Sequence, residues 1–332
     1  MMTTSWIVEV FLFLMGLAVL IYAVLDGYDL GIGVLLPMDE VEHRDQMIAS
    51  IGPFWDANET WLVLAIGILL IAFPHAYSLV LHELYLPTTI LMMGLIVRGV
   101  SFDFRAKAVT GHRTLWDRAF KAGSLIASLT QGYMIGRYVL GFENSLAAEA
   151  FAALSAVCVT AAYAYIGGAW LVMKTEGELQ RRAAHWARWS GRLAAVGIAA
   201  ISIVNPLVSS TVAERWFSFP GAILLVPIPL ICIALVVAVD QYLKHVPLKN
   251  DMGCWFPFVG VAALFLLSFF GLAYSFYPDV VPGRMSAAEA ASAEASLRFI
   301  GVGVAIVLPL ILAYTAYSYR VFWGKSTKLK YY

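Results

Sequence analysis

The sequence predicts an all-α polytopic membrane protein, and three observations carry that expectation. Of 332 residues 61% are apolar and only 13% charged, about half the charge of an ordinary soluble domain, so a water-facing surface of this size cannot be built. The mean hydropathy is +0.78, the opposite of the composition that disorder requires. The apolar residues also come in near-continuous runs rather than in alternation, which argues against an outer-membrane barrel.

A helical span needs about 20 apolar residues, and the chain offers about nine such runs, over roughly 6–36, 53–73, 78–104, 119–141, 148–173, 192–212, 218–240, 254–277 and 297–322. The second and third are parted only by a turn near Phe73-Pro74-His75. That pair is the least secure, and eight spans is the other count the sequence allows. The opening MMTTSW lacks the positive segment of a cleavable signal, so the first run is expected to be a retained span. No soluble domain, low-complexity stretch or repeat stands out, and the whole of 1–332 is expected to form one integral-membrane domain.

Orientation follows from the positive charges. Seventeen of the 22 Lys and Arg fall on one side of a nine-span chain, in the loop at Arg44, in 105–121, 174–192 and 241–253, and in the tail. Arg215, Arg284 and Arg298 fall on the other side, and Arg98 and Arg137 lie within spans. This puts the N-terminus in the periplasm and the C-terminus in the cytoplasm. Trp6, Trp116, Trp170, Trp186, Trp189, Trp216, Trp255, Trp323 and Tyr331-Tyr332 lie near span ends, where an interfacial aromatic belt is expected. The loop at 278–296 is expected to hold a short surface helix.

Ionisable residues inside spans are costly and mark function by default. Asp26 and Asp29, three apart, share one face of the first span. Asp56 and Glu59 share a face in Pro53-Phe54-Trp55-Asp56-Ala57-Asn58-Glu59, where Pro53 suits a first helical turn. Arg98 lies about two turns inside the third span, whose end carries Asp103 and Arg105. All three clusters fall on the cytoplasmic side. Two readings stand side by side. The acids could form a proton or cation entry route. Alternatively, Arg98 neutralises a buried carboxylate, Asp56 caps a helix and Asp103 pairs with Arg105. Glu9 and Arg137, near the outer face, read as residues that snorkel.

Lys and Arg balance Asp and Glu at 22 each, so no basic excess points to nucleic acid. Cys158, Cys232 and Cys254 are scattered, which fits neither a disulfide framework nor a CxxC metal site. No pair of mid-span histidines is available as axial haem ligands. No phosphate loop, dinucleotide fingerprint or Ser-His-Asp signature is present. A stand-alone transporter would show broken helices or an inverted repeat, and neither is legible.

The residues reached so far resemble a known family. Asp26-Gly27-Tyr28-Asp29-Leu30-Gly31-Ile32-Gly33 is similar to the DGxDxGxG end of the first helix of subunit II of cytochrome bd-type quinol oxidases. Ile51 to Leu62 resembles its IxPxWDGNExWL motif, closest in wording to the cyanide-insensitive branch, with Ala57 in place of the usual glycine. Arg98 to Arg105 resembles RGxxFEFR, with Asp103 in place of glutamate. Ser275-Phe276-Tyr277-Pro278, Leu308-Pro309 and the tail Val321-Phe322-Trp323-Gly324-Lys325 match in order.

The resemblance implies two four-helix bundles plus a peripheral helix in a bacterial inner-membrane complex that oxidises quinol and reduces oxygen to water. Such a complex generates proton-motive force without pumping. It implies a heterodimer with a haem-bearing subunit I, which holds haem b and haem d (or b in its place) and the main quinol site. A small single-span subunit joins some such complexes, and some relatives hold a structural quinone in subunit II. This chain is expected to ligate no haem or metal itself and to carry no catalytic residue. Asp29, Trp55 and Asp56 are placed on a cytoplasmic proton route, with Asp26 and Glu59 beside them and Arg98 and Asp103 as a supporting ion pair. A purely structural subunit and a stand-alone proton or cation transporter are the competing readings.

Overall fold

A computed structural model describes residues 5–108, 112–208, 210–219, 221–248 and 251–326. Lys249, Lys328, Lys330, Tyr331 and Tyr332 lie outside them. The helices in chain order are α1 (Trp6–Leu35), α2 (Val41–Ile51), α3 (Trp55–Ala72), α4 (Pro74–Glu83), α5 (Tyr85–Lys107), α6 (Arg113–Val139) and α7 (Leu146–Lys174). They continue as α8 (Gly177–Val208), α9 (Ser210–Phe217), α10 (Gly221–Leu225), α11 (Pro227–Leu243), α12 (Phe256–Phe276), α13 (Ala287–Ala290) and α14 (Glu294–Val321).

Among the described residues, eight helical stretches are long and apolar enough to cross a membrane: α1, α3, α5, α7, α8, α10 with α11, α12 and α14. The remaining run expected to span is α6. It has 27 residues, about 40 Å at 1.5 Å per residue, but is less apolar than the others. It buries Asp117, Ser124, Ser128, Gln131 and Arg137. These polar positions face other helices, so α6 can be long without being greasy. The break between the second and third runs falls at Phe73, and α4 starts on Pro74, where a missing N–H costs nothing. The third run is interrupted again at Leu84, before α5.

The stretch 278–296 is more than the short helix expected. Asp279–Val281 (β1) pairs antiparallel with Met285–Ser286 (β2). Ser286 then caps α13 reciprocally with Glu289, a capping box.

Helix α1 organises the fold and packs on α3, α6 and α7, while α5 packs on α6, α8 on α7 and α11, and α11 on α12. Its first two thirds are apolar and mostly half-buried, whereas every residue from Asp26 to Gly33 is buried. That burial needs a close helix approach. A Cβ on Gly31 would stand 1.8 Å from the Tyr163 carbonyl oxygen of α7, and one on Gly167 would meet Gly31 at 2.8 Å. Glycine is therefore obligatory at this crossing.

The main core lies at the Leu35 end of α1, where Tyr28, Ile32, Phe54, Ile166 and Trp170 pack together. Trp170, expected in an interfacial belt, is 1% exposed and stacks on Tyr28 at 4.3 Å between ring centroids. It belongs to the core because α7 turns it towards α1. A second apolar cluster joins the other end of α1 (Ile7, Phe11) to Phe73, Val280 and Leu297. Helix α14 buries only Leu297. The segment after α14 is stapled down: Lys174 Nζ donates to the Phe322 and Gly324 carbonyls at 2.7 and 3.0 Å, and Lys325 Nζ donates to the Thr175 carbonyl at 2.9 Å.

Candidate functional site

Three helices bring their polar residues to one point. The i, i+3 spacing on α1 puts Asp26 and Asp29 on one face, and both are 0% exposed. Across from them α5 projects Arg98, also 0% exposed, and α3 contributes Asn58 and Glu59. Arg98 Nη1 donates to Asp26 Oδ1 at 2.7 Å and to Glu59 Oε1 at 2.6 Å. Its Nη2 is 4.0 Å from Asp29 Oδ2. The Trp55 ring covers the guanidinium, with Cζ 5.9 Å from its centroid, a cation–π distance. Four of the residues expected on the route or beside it (Asp26, Asp29, Trp55 and Glu59) thus meet around Arg98.

Two expected residues do not join. Asp56, in the first turn of α3, points to the exterior. It sits one turn before Glu59, whose side chain is 28% exposed. Asp103, expected to form an ion pair with Arg98, is exposed and takes no part in the pairs Arg98 makes. It does not pair with Arg105 either. Arg105 Nε donates to Asp117 at 2.5 Å, and its Nη2 reaches Asp45. The reason is helical phase, since Asp103 is five residues from Arg98 and two from Arg105, off both faces.

The structure adds residues that the sequence reading passed over. Asn58 Nδ2 donates to Asp29 Oδ2 at 2.8 Å and to the Tyr28 hydroxyl at 3.0 Å, and Tyr28 hydrogen-bonds Tyr319 of α14 at 2.7 Å. Asn58 lies between Asp56 and Glu59 in the 51–62 motif, and an amide between two acids is the available signal. Deeper along α1, Gln131 Nε2 donates to the Tyr22 hydroxyl at 2.6 Å, and the Tyr163 hydroxyl donates to Gln131 Oε1 at 2.7 Å. A second buried network ties α2, α5 and α6. Asp117, 0% exposed, lies 2.9 Å from Arg44 Nε besides its bond to Arg105. Arg44 and Arg105 read as loop charges in the sequence. Arg137, read as snorkelling, is 6% exposed and donates to Glu149 at 2.5 Å.

Three carboxylates face one guanidinium, and burying an unbalanced charge is expensive. The cluster can reach balance by taking up a proton or a cation. Glu59, the partly exposed member, is its opening to the surface. The histidines lie elsewhere: His43 in α2, His75 and His82 in α4, His185 in the early turns of α8, and His112 and His245 flanking helices. Axial haem ligation needs donors projecting from facing helices, and this set does not fit it.

A model of the cytochrome bd terminal oxidase subunit II family matches residues 7–322. The chain belongs to that family. Cytochrome bd ubiquinol oxidase subunit 2 of Bacillus subtilis is 27% identical over 321 residues, covering 90% of each chain. Cytochrome bd-I ubiquinol oxidase subunit 2 of Escherichia coli K12 is 27% identical over 363 aligned positions, covering 95% of this subunit II and 94% of the relative. A chain of the bd oxidase from Geobacillus thermodenitrificans superposes with a TM-score of 0.71, covering 97% of this chain and all of that one. At 15% identity that likeness is one of fold.

Proposed function

We propose that this subunit II works in a quinol:oxygen oxidoreductase of a bacterial inner membrane, beside a haem-bearing subunit I, and lines the route by which protons for oxygen reduction enter from the cytoplasm. The observation that carries the reading is the group of buried Asp26 and Asp29 and partly exposed Glu59 around a single Arg98. The names of the relatives supply the reaction class.

In this reading all nine long helical stretches cross the membrane, α6 included, grouped as two four-helix bundles with α14 peripheral. The Leu35 end of α1 faces the cytoplasm, in line with the positive-charge bias. Haems b and d (or b), held by the partner, supply oxygen reduction. The residues of this chain hold and pass protons. Glu59, open to the surface beside Asp56, shares the guanidinium with Asp26 and forms the entrance to the cluster. Asp29, held by Asn58, lies beside this pair, one turn nearer the Leu35 end of α1 than Asp26. Quinol protons leave on the opposite side, so a gradient forms without pumping.

The test is to purify the tagged chain in mild detergent, identify its partner, and record a reduced-minus-oxidised spectrum. A larger multi-pass partner with haem b and d bands supports the reading. A colourless chain without such a partner leaves a stand-alone transporter in front.

A further inference from the structure

We propose that Asn58 is a positioning residue that holds Asp29 away from Arg98, and so keeps Asp29 free to exchange its proton. The inference rests on the proton-route reading above.

Asp26 and Glu59 share one nitrogen of Arg98, Nη1. The other arm, Nη2, is buried and makes no hydrogen bond among the described residues, and neither does Asp29 Oδ1. Yet Asp29 and Nη2 stand 4.0 Å apart. Closing that gap by about 1 Å would give a charge-assisted hydrogen bond and satisfy a buried donor. The group placed to oppose that closure is Asn58, which holds Asp29 Oδ2 at 2.8 Å.

Asn58 is 1% exposed and fixed from several sides. Its Nδ2 donates to Asp29 Oδ2 at 2.8 Å, to the Tyr28 hydroxyl at 3.0 Å and to the Leu25 carbonyl at 3.4 Å. Its Oδ1 accepts from the Tyr319 hydroxyl at 3.5 Å. The amide therefore cannot follow Asp29 towards α5. It anchors the carboxylate to α3 and, through Tyr28 and Tyr319, to α1 and α14.

The chemical consequence follows from donor type. A guanidinium in direct contact favours the charged carboxylate strongly. A neutral amide N–H can donate to a carboxylate oxygen or, more weakly, to the carbonyl oxygen of a carboxylic acid, so it holds both protonation states and favours the charged one less than a guanidinium does. Asp26, in contact with Nη1, is the fixed counter-ion, and Asp29 is the exchanging partner. The charged and titratable groups facing Asp29 are Arg98 from α5, Glu59 from α3, Asp26 and Tyr28 from α1, and Tyr319 from α14.

The experiment is the pH profile of oxygen consumption by the assembled oxidase carrying Asn58→Leu. With the amide gone, Asp29 closes on Nη2. Turnover then falls about tenfold at the alkaline end, and that limb moves about one pH unit to lower pH, a one-unit shift being a tenfold change in protonation. Haem content stays at the parent value. In an Asp29→Asn background, Asn58→Leu produces no further shift, which a general packing defect would not reproduce. Asn58→Ser, smaller and unable to clash, asks the same question if the leucine variant does not assemble. A parent-like profile in an assembled Asn58 variant, or a shift that persists in Asp29→Asn, overturns the inference. If Asp29→Asn itself leaves turnover unchanged, the proton-route reading fails. If Asp29→Asn lowers turnover while the Asn58 variants keep the parent profile, only the role of Asn58 fails.

Discussion

Arg98 on α5 and Asp26 on α1 are joined by a 2.7 Å hydrogen bond between two side chains that are both completely buried. The bond spans 72 positions in sequence and is shared at the same nitrogen with Glu59 of α3. One guanidinium therefore fixes the relative positions of three helices.

Arg98→Ala leaves Asp26 and Asp29 buried without a cation, and Glu59 without its partner. Removing one partner of a buried pair costs about 3–5 kcal/mol, so the expected outcome is loss of the assembled complex, read as haem content and yield. Arg98→Met combined with Asp26→Leu removes both charges of the pair and should recover part of the assembly but not the activity. Normal yield for Arg98→Ala would refute the three-helix tie.

Gly31 sets the α1–α7 crossing. Gly31→Ala puts a methyl 1.8 Å from the Tyr163 carbonyl oxygen. Overpacking of this kind costs about 1–3 kcal/mol and sometimes more, and the melting temperature of the complex should fall accordingly. Gly67→Ala is the control, since nothing lies within 4 Å of its added Cβ, and it should leave melting unchanged.

Asp56 and Glu59 lie one turn apart on α3, but only Glu59 touches Arg98. Asp56→Asn should lower oxygen consumption a few-fold while the complex assembles normally. Its favourable place near a helix N-terminus contributes no more than about 1 kcal/mol. Glu59→Gln should lower turnover further. Parent-level turnover in assembled Asp56→Asn would remove that residue from the route.

Away from the membrane spans, Asp251 shows how the tail is held. Burial pushes its carboxyl up, but hydrogen bonds from Lys325 and Gln180 and the Lys325 charge prevail and hold it below the ordinary value of 3.8. A carboxyl depressed in the folded state contributes stability above its unfolded value, and that contribution is lost as pH falls through the lower folded value. The clasp should thus be intact at neutral pH and loosen below about pH 4. Hydrogen exchange of the Ser326 amide, bonded to the Lys174 carbonyl at 2.7 Å, should be faster in Asp251→Asn at neutral pH. Unchanged exchange would show that the tail is held elsewhere.

The sequence made the membrane helices legible because length and apolarity are one-dimensional properties. It also made the Asp26–Asp29 and Glu59–Arg98 group legible, since acids within apolar runs stand out. The partners of each charge were not legible. Asp103 looks like a neighbour of Arg98 along the chain, yet helical phase turns it outward, while Asp26, 72 positions away, makes the bond. Asp117 lies within the basic stretch 105–121, and the fold buries it between Arg44 of α2 and Arg105 of α5. Asn58 carries no charge, so a search for costly ionisable groups passes it by. The two-strand hairpin at 279–286 was missed because strands of three and two residues are too short to show alternation.

On the proposed route, this cluster passes protons for oxygen reduction. The direct measurement is oxygen consumption by the purified complex carrying Asp29→Asn, normalised to haem content. Turnover should fall by about a hundredfold or more while haem content and partner stoichiometry stay at parent values, the lower end of what a positioned proton-transfer group contributes. Parent-level turnover in a fully assembled Asp29→Asn complex would contradict it.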